Sequence, residues 1–197
     1  MGEISGNEAV QLLAEGNKRF TTGNLAVKDI GKARRENLST KGQKPFAVVV
    51  CCSDSRVPPE LLFDQALGDI FVVRTAGNVV DEIAVGSVEY AVEHLGTPLV
   101  VVLGHEKCGA VKATIDGGEA PGSISAIVSK IVPSVQKAQD AGAKGNDLYE
   151  AACIENIKST IADLEKSPII KHFLKDGLLK IVGAKYHLGS GEVTINI

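Results

Sequence analysis

Two short segments of this 197-residue chain gather the residue types that do chemistry. The first is Cys51-Cys52-Ser53-Asp54-Ser55-Arg56, and the second is Gly104-His105-Glu106-Lys107-Cys108-Gly109. Brought together, they offer two thiols and one imidazole. Thiolate and neutral imidazole suit a borderline-soft ion such as zinc, and three protein ligands are the usual catalytic number. The fourth position then holds water, whose pKa falls from about 15.7 to roughly 7–9. Two thiolates make the ion a poorer Lewis acid than three imidazoles do. The expected product is still a hydroxide able to attack an electrophilic carbon near neutral pH.

Asp54 and Arg56 alternate with Cys52, so in extended geometry all three point the same way. A carboxylate beside a zinc site can take the fourth position and close it. A guanidinium can hold that carboxylate away in a two-pronged grip. Held so, Asp54 is free to accept the proton of the hydroxide and to turn its lone pair toward a substrate.

Both segments follow strand-like runs. Phe46–Cys52, Ile70–Thr75 and Leu99–Gly104 are continuous and β-branched, the pattern of parallel strands buried on both faces. Helical segments separate them, a short one at Pro59–Asp64 and a long one at Asp81–Leu95, which Gly96 closes. Strand–helix–strand spacing implies a parallel sheet, and ligands bind at the carboxyl ends of such strands. Upstream, residues 5–20 read as a helix with Asn7 as its cap and Val10, Leu13, Asn17 and Phe20 on one face, Leu12 beside them. A short helix is expected around Lys32–Leu38. Downstream, helices are expected at Ser123–Gln139 (kinked at Pro133), Asp147–Glu165 and Ser167–Leu174. Leu179–His187 and Glu192–Ile197 read as a closing hairpin at the sheet edge. The expected fold is α/β, a mostly parallel central sheet flanked by helices with an antiparallel edge strand near the C-terminus.

Composition narrows the function. Apolar residues make up 44% and charged residues 23%, ordinary for a globular protein. The net charge of −3 offers no basic surface for nucleic acid or anionic lipid. No apolar run reaches the roughly 20 residues of a membrane helix, and Met1–Gly6 lacks the features of a secretory signal. A cytoplasmic location is expected. Four cysteines in a chain this long do not make a disulfide framework. Cys51 should face away from Cys52 as a small buried hydrophobe, and Cys153 reads as helix core. His94, His172 and His187 are assigned to neither metal nor proton transfer. Gly-x-Gly-x-x-Gly is absent, which argues against a nucleotide site.

Cys-Ser-Asp-Ser-Arg-Val-Pro at 52–58, followed by Gly-His-x-x-Cys-Gly at 104–109, is similar to the paired signatures of β-class carbonic anhydrases. The likeness continues through Asp69-Ile70-Phe71-Val72-Val73-Arg74, Gly86-Ser87-Val88-Glu89-Tyr90-Ala91 and Ile181-Val182-Gly183-Ala184-Lys185-Tyr186. The resemblance implies one Zn²⁺ per subunit on Cys52, His105 and Cys108, with Asp54 and Arg56 as a gatekeeping pair. It implies reversible hydration of carbon dioxide to bicarbonate and a proton by attack of zinc-bound hydroxide.

Three residues resemble the plant-like group of that family, in its prokaryotic type: Gln43, nine residues before Cys52, and Phe71 and Tyr90. The resemblance places these in the substrate pocket, reaching the zinc from the neighbouring subunit of a homodimer, which in turn can pair into a homotetramer. Gly109 permits close backbone approach to the substrate. The family's other group has a tryptophan where Val49 stands, so no bicarbonate-driven closure is expected, although Arg74 matches one residue of that effector site. Cys51, Gly109-Ala110 and Thr75-Ala76-Gly77-Asn78 depart from the commoner family pattern.

Residues 1–197 are expected to form one domain, with 1–40 as a helical arm across the dimer and 45–197 as the catalytic core. Three alternatives stand beside this. The same nucleophile would serve a hydrolase of carbonyl sulfide or carbon disulfide. A non-catalytic zinc-binding module would have Asp54 as permanent fourth ligand. A thiol redox protein would use Cys51 and Cys52.

Overall fold

The computed structural model of the chain describes residues 4–197; the Met1-Gly2-Glu3 part of the N-terminal reading lies outside them. The three β-branched runs are strands β1 (Ala47–Cys52), β2 (Ile70–Thr75) and β3 (Leu99–His105). The closing hairpin supplies β4 (Lys180–Tyr186) and β5 (Val193–Ile195). Sheet order is β2-β1-β3-β4-β5. Neighbours are parallel except the antiparallel pair β4–β5, as the pattern of runs implied. Burial follows position. β1 and β3 lie inside the sheet and are buried at every residue, whereas β2 is an edge strand with only Ile70 and Val73 buried.

Eight helices surround the sheet among the described residues: α1 (Gly6–Thr22), α2 (Lys32–Lys41), α3 (Pro59–Leu62), α4 (Glu82–Leu95), α5 (Gly109–Asp116), α6 (Ile124–Asp140), α7 (Gly145–Leu164) and α8 (Pro168–Lys175). Ser5, not Asn7, caps α1, in a reciprocal box with Glu8. Asn7 instead accepts a hydrogen bond from Lys180 Nζ at 2.8 Å. The buried stripe of α1 is Ala9, Leu13, Gly16 and Asn17, and Leu12 faces outward. Val10 and Phe20 of the expected face pack, partly buried, against the same core, and Gly16 extends the stripe where the helix crosses backbone: a Cβ there would lie 1.8 Å from the Phe63 carbonyl oxygen. α6 runs through Pro133. α5 was not anticipated, since its start at Gly109-Ala110 has no capping side chain.

Successive strand residues feed opposite faces, as the pleat requires. Val49 and Cys51 of β1 pack with Leu99, Val101 and Leu103 of β3 and with Ala9 and Leu13 of α1. Val48 and Val50 pack with residues of α4, α7 and α8. A third apolar cluster, beyond the carboxyl ends of β1 and β3, contains Cys52, Val79, Cys108, Ile131 and Cys153. β1 has β2 on one side and β3 on the other, so the chain leaves these neighbouring strand ends in opposite directions and opens a crevice between them. Gly104 and Gly183 form a notch on β3 and β4. A Cβ on either would lie 2.6 or 2.9 Å from Ile157 side-chain atoms, so α7 comes closer to the strands than side chains there would allow.

Asp64 ties the N-terminal segment down. Its side chain is fully buried and accepts from Arg19 Nε at 2.6 Å, from the Ala26 N–H at 3.0 Å and from Lys28 Nζ. Burial alone pushes the carboxyl up, but the bonds from Lys28, Ala26 and Arg19 outweigh it and hold the group at about 2, below its ordinary 3.8. A depressed folded-state pKa stabilises above the unfolded value and ceases to do so as pH falls from about 4 toward 2. Asp64→Asn should therefore lower Tm at neutral pH by roughly 5–10 °C. It should also flatten the wild type's loss of Tm between about pH 4 and 2. Thermal melts across that range decide, and equal melts at every pH would exclude the role.

Candidate metal centre

Cys52 is the last residue of β1 and His105 the last of the adjacent β3. The register pairs Cys51 with Leu103, so the two strand ends lie side by side. Cys108 follows three residues later at the head of α5. All three are buried, and their ligand atoms lie within 4.8 Å of one another. His105 Nδ1 lies 2.7 Å from the Glu106 carbonyl oxygen, so its proton is donated there and the Nε2 lone pair is left free. Nε2 is buried and has no hydrogen-bond partner. An orphaned buried acceptor is costly in a folded protein. Coordination of a cation by this nitrogen and the two sulfurs removes that cost, and the one-nitrogen, two-sulfur set fits zinc.

The sulfurs are unequal. Hydrogen bonding with Cys108 lowers the Cys52 thiol against the opposing effect of burial, assisted by His105 and by the backbone N–H of Gly77 and Asp54. The Gly77 N–H donates to Cys52 Sγ at 3.2 Å. Cys108 is pushed up, first by its bond with Cys52 and then by burial; the amides of Val111 and Ala110 act the other way. The pair thus readily yields one thiolate and resists the second, a resistance that a bound cation relieves.

Asp54 stands at the rim, its Oδ2 3.9 Å from His105 Nε2. Arg56 grips it from three directions: Nε donates to Oδ1 at 2.9 Å, a terminal nitrogen to Oδ2 at 2.7 Å, and the Arg56 N–H to Oδ1 at 2.9 Å. The guanidinium bond holds the Asp54 carboxyl at about 2, so it is ionised throughout the neutral range. Arg74 fixes the same turn. Its guanidinium donates to the Cys52 carbonyl at 3.0 and 3.1 Å and to the Asp54 carbonyl at 2.7 Å.

Of the remaining candidates, Gly109 adjoins the cluster, directly after Cys108. Gly109 is the first residue of α5. Gln43 is exposed in the loop before β1. Phe71 and Tyr90 pair with ring centroids 6.4 Å apart, and Tyr90 is 49% exposed. Among the described residues no hydrogen bond joins Gln43, Phe71 or Tyr90 to the thiol–imidazole cluster. A groove of about 420 Å³ lined by Val92, Pro98, Phe173 and Leu178 lies beside the amino-terminal end of β3. Cys51 lies on the opposite face of β1 from Cys52, and burial pushes its thiol up to about 12, which leaves little for a redox pair to use. Cys153 is likewise raised to about 11 by burial.

Sequence reasoning missed several supports. Glu106 clips the His105 loop to the hairpin, its Oε1 2.8 Å from His187 Nδ1 and its Oε2 accepting from the Leu188 N–H at 3.2 Å. Asn156 and Thr160 of α7 bond to carbonyls of the Gly77 loop. The only signal for the latter pair was two polar residues four apart within an otherwise apolar helix stripe.

Known proteins agree with this geometry. Residues 47–193 match the family model described as carbonic anhydrase. A carbonic anhydrase of Mycolicibacterium smegmatis is 46% identical over 192 residues, covering 95% of this chain and 91% of that one. Carbonic anhydrase 2 of Mycobacterium tuberculosis is 42% identical over the same coverage. The solved β-carbonic anhydrase CcaA superposes with a TM-score of 0.77 at 30% identity, over 94% of this chain and 86% of that one. With the sheet, the donor cluster and these likenesses in agreement, the chain belongs to the β-carbonic anhydrase family, lyases that interconvert carbon dioxide and bicarbonate.

Proposed function

We propose that each subunit holds one zinc ion through Cys52, His105 and Cys108 and that Asp54 and Arg56 govern its open position during reversible hydration of carbon dioxide. One observation carries this reading: a buried imidazole nitrogen without a partner faces two thiols, with an ionised carboxylate, already gripped by an arginine, 3.9 Å from it. A zinc ion bound there supplies Lewis acidity that provides a hydroxide nucleophile near neutral pH.

The chain's own groups do the rest. Arg56 occupies both Asp54 oxygens, which opposes rotation of the carboxylate into the donor cluster. Asp54, acceptor-only while ionised, takes the hydrogen bond of the attacking oxygen and turns its lone pair toward carbon dioxide. Gly109, lacking a side chain, leaves room for the substrate beside Cys108. Gln43 donates to a substrate oxygen, and Phe71 and Tyr90 wall the pocket, all three from the neighbouring subunit.

The smallest working unit in this reading is a homodimer, which can pair into a homotetramer; the solved Sordaria macrospora β-carbonic anhydrases are tetrameric. Support comes from α4, where Ile83 is 80% exposed and Tyr90 lies two turns on along the same outward face, beside the open edge of β2. Residues 1–40 then serve as a helical arm and 45–197 as the catalytic core of one domain. A cytoplasmic location fits the four free thiols, and no helix among the described residues is long and apolar enough to cross a membrane.

Metal analysis with stopped-flow hydration tests the chemistry. Wild type should carry zinc and hydrate carbon dioxide, and Cys108→Ser should lose the metal. Asp54→Asn should keep it while hydration falls by about a hundredfold or more. Full zinc with no hydration across roughly pH 6–9 would end the enzymatic reading in favour of a structural site. Light scattering tests the assembly. Ile83→Asp should shift the chain toward monomer and cut hydration by about a hundredfold at unchanged zinc content, because the pocket loses its second wall. A fully active monomeric wild type would refute it.

A further inference from the structure

The Cys52 sulfur receives a hydrogen bond from a backbone group with no reason of its own to point there. Gly77 lies in a 3₁₀ turn, Ala76–Asn78, that follows β2. Its φ of +73° is glycine's region, and a Cβ there would meet Ile131 at 2.8 Å and Ala110 at 3.0 Å. Asn78 follows with φ +48°. Two consecutive residues in the left-handed region are a costly conformation for a buried turn. The turn orients the Gly77 N–H toward Cys52 Sγ, and the carbonyls of Gly77 and Asn78 are met from α7.

Both carbonyls are satisfied from one helix face. Asn156 Nδ2 donates to the Gly77 carbonyl at 2.7 Å, and Thr160 Oγ1 donates to the Asn78 carbonyl at 3.1 Å. The two donors are one helical turn apart, so they lie side by side and meet neighbouring peptide units. Asn156 and Thr160 are 1% and 3% exposed, so water does not substitute for either bond. The approach of α7 that delivers them depends on the Gly104 and Gly183 notch, which admits Ile157 between its two polar neighbours.

We infer that Asn156 and Thr160 are positioning residues that lock the Gly77 turn so that its N–H stays on the Cys52 sulfur, and that α7 thereby acts on the metal affinity of Cys52 through the Gly77 peptide. This rests on the zinc reading above. Groups around a metal ligand commonly change affinity by about 10–100-fold when removed. Asn156 and Thr160 act through one further bond, so the lower end of that range is expected.

The test is competition for Zn²⁺ between the protein and a chromophoric chelator, combined with hydrogen exchange at the Gly77 amide in the zinc-loaded protein. Thr160→Val keeps shape and apolar packing but removes the hydroxyl; Thr160→Ser keeps the hydroxyl. Thr160→Val and Asn156→Ala should each bind zinc about tenfold more weakly and exchange the Gly77 amide faster, while Thr160→Ser stays near wild type. Wild-type affinity and exchange in Thr160→Val overturn the inference. So does equal weakening in Thr160→Ser, which would make the effect one of packing. If Asn156→Ala does not fold, the two Thr160 variants decide. A wild type that takes up no zinc refutes the zinc reading itself, and Gly77 exchange in the metal-free variants then still judges the positioning role.

Discussion

The structure is organised around a nitrogen lone pair with no partner. His105 Nε2 is buried beside two sulfurs, and its tautomer is fixed because Nδ1 faces the Glu106 carbonyl. A buried acceptor left so is expensive, by about 1–3 kcal/mol. Beside it two thiols share a hydrogen bond, so that one ionises readily and the second resists. The surrounding structure holds all three donors within reach of one another regardless, through two buried strands, one helix start and a glycine turn. An unpartnered acceptor held beside two thiols is characteristic of a site made for something the chain alone does not supply.

Much of this was legible in the sequence because the relevant signals are local. The β-branched runs ending in Cys52 and in Gly104, just before His105, announced interior parallel strands, and in such sheets the carboxyl ends are where ligands bind. The alternation Cys52, Asp54, Arg56 implied an extended run, whereas the chain turns at Ser55–Arg56, the Val57 N–H closing on the Asp54 carbonyl, and it is this turn that folds Arg56 back onto Asp54. What stayed hidden was set by packing. The α1 face was read without Gly16, an apparent gap in an apolar pattern, which is where the helix meets the Phe63 backbone. α5 carried no cap to mark it. Asn156 and Thr160 read as polar interruptions of a core helix because their partners, the carbonyls of Gly77 and Asn78, are about eighty positions away and carry no side-chain signature.

The supports also divide the labour by element. β1 and β3 supply direction, and they are rigid because every residue is buried. Their last residues, Cys52 and His105, and the head of α5, Cys108, supply the donors, and the adjoining turns are fastened by groups from elsewhere: Arg74 of β2 to the carbonyls of Cys52 and Asp54, His187 beyond β4 to Glu106, and α7 to the Gly77 turn. Donors at element ends border flexible turns, and fastenings from three separate elements remove the imprecision that such turns otherwise bring.

The rim obeys a different logic from the floor. Arg56 has 53% of its side chain exposed, and an isolated ion pair in such a setting contributes at most about 1 kcal/mol. The Asp54–Arg56 contact nevertheless has features that isolated pairs lack. It is bidentate, it joins residues two apart so that little chain entropy is lost on closing it, and the Arg56 N–H adds a third bond to the same carboxylate. Arg74 holds the backbone under it. The guard over the donor cluster therefore owes its persistence to geometry supplied by the chain, and not to burial. That arrangement keeps a carboxylate ionised with its oxygen 3.9 Å from the unpartnered His105 nitrogen and already engaged by arginine.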